Sequence, residues 1–228
     1  VRVLPGMQAA FVDIGLERAS FIHASDICSA GTNAAGAAQA GDEVAPADIR
    51  QLVRDGQQLV VQVTKDPLGT KGARLTTRLS LSSRLLVLMT DNPHIGVSQR
   101  IEDEQERQRL RDCLNSLRSH ESMSQALGYI VRTAAEGVGT DELRADMLFL
   151  TKLWDMLQAK SESVAAPGLV HRDLALPMRT IRDLAWQSVE KIRIDSREVF
   201  QAVTEFAEAF TPGVVSRIEH YKLIGYEY

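Results

Sequence analysis

Cysteine is scarce in this sequence: two in 228 residues, Cys28 and Cys113, with no Cys-x-x-Cys pair. That excludes a disulfide framework and a cysteine-based zinc site, and a reducing cytoplasm is the expected location. No apolar run is long enough to span a bilayer and no basic start precedes an apolar core, so neither a membrane partner nor a secretory leader is expected. Positive charge is also short, with 26 Lys and Arg against 30 Asp and Glu and a formal net charge of −4. A globally basic surface is thereby excluded, and binding to a polyanion must use a local patch. Aromatic residues make up only 5%, so an aromatic outside the core phase of its element is informative. The chain opens on Val1-Arg2-Val3, already strand-like and without Met, and its natural N-terminus is expected upstream.

What is present suits a globular protein of one large domain or two to three small ones, with 44% hydrophobic and 25% charged residues. The first part predicts short strands. Ala9–Ile14 alternates and stops at Gly15; Ser20–His23 follows. An Ala/Gly/Ser/Asn-rich stretch over residues 29–41 predicts a mobile loop. Strand character returns at Leu59–Thr64, Asp66-Pro67-Leu68-Gly69 is a turn, and Arg74–Leu81 alternates as one strand. Short strands with turn-rich connections predict a small β-barrel.

The middle mixes both element types. Leu85–Met89 is a continuous apolar run, expected as a buried strand. A helix over 103–118 carries Leu110, Cys113, Leu114 and Leu117 on one face. Tyr129–Thr133 is a strand, followed by a small-residue loop. A helix from Thr140, with Asp141 and Glu142 in its first turn, carries the stripe Leu143, Met147, Leu150, Trp154 and Leu157, which is core packing rather than a cofactor box. After Pro177 come a helix with Ile181, Leu184 and Trp186, a strand over 189–194, Asp195 as expected N-cap of a helix burying Val199, Val203, Phe206 and Phe210, and a strand over 216–221. No internal repeat or heptad is present.

Two groups of residues carry chemistry. In the first, Ala10, Val12 and Ile14 share the core face, which leaves Phe11 on the other; Ile22 is core, which turns Phe21 and His23 outward. Two out-of-phase aromatics on neighbouring strands make a platform on which bases stack, or else they close the barrel or pack on a neighbouring domain. Nearby, Lys65, Lys71, Arg74, Arg78 and Arg84 have only Asp66 as an acid in that stretch, and Arg74 and Arg78 share one strand face. Such cations track a phosphate backbone or make a plain solvated face. The second group is Arg132 and Thr133 at a strand end before small residues, where Arg takes a phosphate through parallel hydrogen bonds or else makes an ordinary ion pair.

Ala10–Gly15 followed by Phe21–Ile27 resembles the S1 RNA-binding signature, an OB-fold barrel. Val3–Gly15 and Lys65–Thr77 are more specific and resemble the ribonuclease G branch of the ribonuclease E/G family. Gly128–Gly139 is similar to that family's 5′-sensor motif. The resemblance implies an α+β multidomain chain: an S1-type domain over 1–77, a mixed α/β 5′-sensor over 78–176 and part of a ribonuclease H-like domain over 177–228. It implies that Phe11, Phe21 and Lys71 grip single-stranded RNA and that Arg132 and Thr133 recognise a 5′-monophosphate. Backbone groups of Val87 and Ser83 would complete the ring, although Ser83 stands where the ribonuclease E branch has Gly. Arg100, in Val97–Glu102, together with Arg74, Arg78 and His23, is a secondary RNA contact. In this family the catalytic aspartates and the linking cysteines lie in later parts, so no catalytic residue, metal or cofactor is expected in this chain; magnesium is expected for the full-length enzyme. The resemblance allows a homo-oligomer of the full-length protein and gives no account of Leu223–Tyr228. The alternatives are a stand-alone, non-catalytic 5′-end sensor and a scaffold whose barrel binds protein.

Overall fold

The computed structural model describes residues 1–28, 48–120, 124, 126–184 and 189–221. The expected loop over 29–41, Trp186 and Leu223–Tyr228 lie outside them. The chain divides into two compact units, Val1–Val170 and His171–Tyr228, and is of mixed α and β type.

The first unit begins with a five-stranded sheet: β1 (Arg2–Leu4), β2 (Ala9–Val12), β3 (Ser20–His23), β4 (Gln62–Lys65) and β5 (Arg74–Thr76), with α1 (Ile49–Leu52) between β3 and β4. The order is β1-β2-β3-β5-β4. All pairs are antiparallel except β3 with β5. The period-2 pattern does what it predicts. Ala10, Val12 and Ile22 are buried with Ile49, Val53, Ala73 and Leu75, and each fully buried branched side chain contributes roughly 1.5–3 kcal/mol. Gly72 is dictated by close approach: a Cβ there would lie 2.0 Å from the carbonyl oxygen of Ala19. That contact lets β5 start against the start of β3, where Phe21 N–H donates to Ala73 O at 2.8 Å.

A second sheet follows: β6 (Ser80–Ser82), β7 (Leu86–Met89), β8 (Ile95–Val97) and β9 (Gly128–Val131), in the order β6-β7-β9-β8 with β8 parallel to β9. Helices α2 (Glu104–His120) and α3 (Thr140–Ser163) share its core. Leu110, Leu114 and Leu117 of α2 and Leu143, Met147 and Leu150 of α3 are buried, at the spacing of one helical face. They pack with Leu86, Leu88, Tyr129 and Val131. The expected strand at Leu59–Thr64 is shorter and later, at β4. The run Leu85–Met89 is not buried on both sides: β7 alternates, with Leu86 and Leu88 buried and Val87 and Met89 half-buried.

One expectation is overturned. Arg74–Leu81 is not one strand, because β5 ends at Thr76 and β6 begins at Ser80 in the other sheet. Asp26 O accepts from Thr77 N–H at 2.9 Å, and Thr76 Oγ1 accepts from Arg78 N–H at 3.0 Å. These bonds turn the chain out of the first sheet. The Gln62 side chain then ties β4 to β6, donating to Ser80 O at 3.0 Å and accepting from Ser80 N–H at 2.8 Å.

The second unit holds α4 (Leu176–Leu184), β10 (Ile192–Ile194), α5 (Arg197–Phe210) and β11 (Ile218–His220), with β10 parallel to β11. Ile181, Val203 and Val214 form its core. The N-cap of α5 is Ser196, whose hydroxyl accepts from Val199 N–H at 3.3 Å; Asp195, expected in that place, accepts from Ser196 N–H instead. Among the described residues no helix is long and apolar enough to cross a membrane.

Candidate nucleic-acid interface

Strand register sets the first part of the surface. Arg2 pairs with Phe11, Phe11 with Phe21, Phe21 with Arg74 and Arg74 with Lys65. Paired residues point to the same side of a sheet. Four strands therefore carry one transverse row, cation–aromatic–aromatic–cation, and Lys65 of the fifth strand extends it across a register shift between Val63 and Lys65, to roughly 19 Å at about 4.8 Å per strand. Phe11 is 38% exposed and Phe21 half-buried. Their ring centroids are 6.3 Å apart at 66°, an edge-to-face pair that leaves ring area open to stacking. His23 lies one step along β3, where its Nδ1 accepts from Ser25 N–H at 3.2 Å. Lys71 is exposed on the β4–β5 loop, closed by a bridge between Leu68 and Lys71. Arg18 reaches that loop from β2–β3 and donates to Gly69 O.

The basic strip is not as open as local sequence predicts. Arg74 is held by Asp26 at 2.9 Å, Arg78 by Asp91 at 3.3 Å and Arg84 by Glu142 at 3.3 Å. Because β5 ends at Thr76, Arg74 and Arg78 belong to no common strand face. Lys65 and Lys71 form no ion pair among the described residues.

The second part lies at the end of β9. Arg132 and Thr133 are exposed, and Arg132 forms no ion pair among the described residues. Its Nη1 donates to Ser83 O at 2.5 Å, with Arg84 O at 3.4 Å. Thr133 Oγ1 lies 3.3 Å from Ser98 Oγ, which accepts from Arg100 N–H at 3.3 Å. The Arg132 guanidinium thus stands against the turn where β7 begins, and the Thr133 and Ser98 hydroxyls, with the exposed Arg100 two residues on, stand where β9 and β8 end; each is a donor type suited to a phosphate. Val87 sits in the ladder between Ser82 and Ile130. Ser83, expected to offer its backbone N–H, is fully buried, and that N–H donates to Leu86 O at 2.9 Å.

Sequence reasoning passes over Ser98, Asp146 and the pair Glu106–Arg109. Asp146 Oδ2 accepts from Leu85 N–H and Leu86 N–H, both at 3.0 Å, and touches the Ser83 hydroxyl. Glu106 on α2 accepts from Gly137 N–H at 2.8 Å, and Arg109 donates to Val138 O at 3.0 Å, which anchors the loop after Thr133. The Arg109 fork, closing on Glu106 at 2.6 Å, holds that carboxyl down at about 2 from 4.5, against the raising effect of burial and with help from Gly137 N–H. Only the Glu-x-x-Arg spacing on one helix face hints at this pair. Among the described residues no group of three or more His, Cys, Asp or Glu is placed to hold a metal ion.

An aromatic pair, one ring exposed and one half-buried, within a row of cations, and a guanidinium with no ion pair among the described residues, are features able to receive a polyanion. Residues 80–225 match the model of the Ribonuclease E/G family, and the chain belongs to that family. It is 47% identical over 220 residues to Ribonuclease G of Escherichia coli (strain K12) and 46% identical over 220 residues to Ribonuclease G of Haemophilus influenzae. To Ribonuclease E of E. coli (strain K12) it is 36% identical over 222 residues. These alignments cover 96% of this chain and 44%, 43% and 20% of the respective relatives.

Proposed function

We propose that the chain is the RNA-binding and 5′-monophosphate-sensing part of a ribonuclease G-type endoribonuclease that matures ribosomal RNA precursors and degrades messages in the cytoplasm. The observation that carries this reading is Arg132, exposed at the end of β9 and without a carboxylate partner among the described residues, followed directly by Thr133, whose hydroxyl lies 3.3 Å from that of Ser98. A guanidinium with one edge on Ser83 O keeps the other for phosphate oxygens. Single-stranded RNA stacks on Phe11 and Phe21, with Lys71 and Lys65 on its backbone. The strand order β1-β2-β3-β5-β4 with its one parallel pair supports an S1-type OB barrel. The α4–β11 segment is part of a ribonuclease H-like domain.

Cleavage belongs, in this reading, to parts of the relatives that this chain does not span. Magnesium serves that chemistry, and among the described residues no cluster of His, Cys, Asp or Glu is placed to hold it. What this chain does is bind and orient. Two weak sites on one RNA strand reinforce each other through effective concentration.

The test is binding of the chain to a short single-stranded RNA bearing a 5′-monophosphate or a 5′-hydroxyl, at low and moderate salt. Tighter binding of the monophosphate form is expected. Equal binding would remove the sensor reading and leave the barrel reading. Binding that ignores salt would remove both.

A further inference from the structure

We propose that Asp146 is the positioning residue for Arg132, acting through the Ser83–Leu86 turn; this rests on the reading of Arg132 as a phosphate-binding group. A hairpin with a two-residue loop, here Arg84-Leu85, is ordinarily closed by a reciprocal pair of backbone bonds. Only one of the two is made. Ser83 N–H donates to Leu86 O at 2.9 Å. The Leu86 N–H is drawn away to Asp146 Oδ2 at 3.0 Å, with the Ser83 hydroxyl as a second acceptor at 3.3 Å. Leu85 N–H donates to the same carboxylate oxygen at 3.0 Å, and the Ser83 hydroxyl lies against it as well.

The consequence falls on a carbonyl. Ser83 O, relieved of the closing bond, accepts instead from Arg132 Nη1 at 2.5 Å, and Arg84 O stands 3.4 Å from the same nitrogen. Asp146 thereby decides which turn carbonyl is open to the guanidinium. With the carboxylate gone, Leu86 N–H keeps only the Ser83 hydroxyl at 3.3 Å, and its return to Ser83 O competes with Arg132 for that carbonyl. A long side chain held by one edge loses less rotamer freedom on binding, which favours the bound form. The arrangement also accounts for serine at position 83: its hydroxyl is a third tie between turn and helix, buried with the residue.

The experiment is the ratio of affinities for 5′-monophosphate over 5′-hydroxyl RNA, measured on the 228-residue chain and its variants. Asp146→Ala is expected to lower the ratio about tenfold, as loss of a supporting hydrogen-bond partner does elsewhere, with 5′-hydroxyl binding unchanged. Asp146→Asn is expected to keep the ratio, since Oδ2 takes the three contacts from the turn and a carboxamide oxygen can replace it there. A merely structural role would move both affinities together. An alanine variant that binds 5′-hydroxyl RNA normally and keeps the wild-type ratio overturns the proposal. If that variant unfolds, Asp146→Glu, which displaces the acceptor by one methylene, is judged by the same two outcomes. A wild-type ratio near one, or a ratio that survives Arg132→Ala, brings down the reading of Arg132 itself and the proposal with it.

Discussion

The aromatic row on the first sheet and the Arg132 corner of the second are built in different ways. On the first sheet each side chain is placed by its own strand. Once β2, β3 and β5 pair, Phe11, Phe21 and Arg74 stand in line. At the corner, Arg132 is aimed by residues of other elements: a turn carbonyl at Ser83, a carboxylate on α3 and a loop held from α2. The row is therefore robust to changes outside it, whereas the corner is sensitive to residues that touch no ligand.

The largest effect expected is at the row. Phe11→Ala and Phe21→Ala each weaken single-stranded RNA binding by about 1–3 kcal/mol, whatever the 5′ end, read by fluorescence anisotropy with both RNA types. A Phe11 variant that hurt only the monophosphate form would dissolve the distinction between the two regions. Next comes Arg132→Ala, which abolishes the preference for a 5′-monophosphate, a loss of about 1.5 kcal/mol on that RNA alone, the lower end for hydrogen bonds to a charged group because the guanidinium is exposed. Equal loss on both RNA types would make Arg132 a general phosphate contact, one more member of the row.

The same contrast explains what could be foreseen. The outward phase of Phe11 and Phe21 follows from a local alternation, and so do the core stripes of α2 and α3, which come out as read. The strand expected over 74–81 fails for a related reason. Leu75, Thr77, Leu79 and Leu81 keep their period through the junction, and a period of two does not encode which sheet a residue joins. The break is made by Thr76 and Asp26, 50 residues apart. The acids that hold Arg74, Arg78 and Arg84 are likewise remote in sequence or on other elements, so a count of neighbouring charges overstated the open basic strip. Asp146 and Glu106 look like ordinary polar positions on amphipathic helices, and only the packed structure shows what they hold.

A smaller effect separates the free cation from the paired one. Lys71→Ala is expected to lower affinity and reduce the slope of log K against log salt by about 0.7, the value for one phosphate contact on a single strand. Arg74→Ala is expected to change that slope less, because Asp26 already holds Arg74 at 2.9 Å. Asp26→Asn would then raise affinity, and salt titrations of the three variants check the order. An Arg74 slope change as large as that of Lys71 would mean that the ion pair opens on binding.

The smallest effect belongs to the loop behind Arg132. The Glu106 carboxyl lies at about 2 in the folded chain against 4.5 as its ordinary value, first because of the Arg109 hydrogen bonds and also through Gly137 N–H. A carboxyl depressed on folding adds stability that is complete above about 4.5 and disappears as pH falls through about 2. Arg109 is 43% exposed, so solvent screening reduces the contribution to about 1 kcal/mol. Glu106→Gln should therefore lower the urea midpoint at pH 7, and the gap from wild type should narrow as the pH falls from 4.5 towards 2. A gap that stayed constant over that range would mean that shape and packing, not the ionised carboxylate, anchor the loop. Binding of 5′-hydroxyl RNA should be untouched at pH 7, because the row on the first sheet draws nothing from this helix.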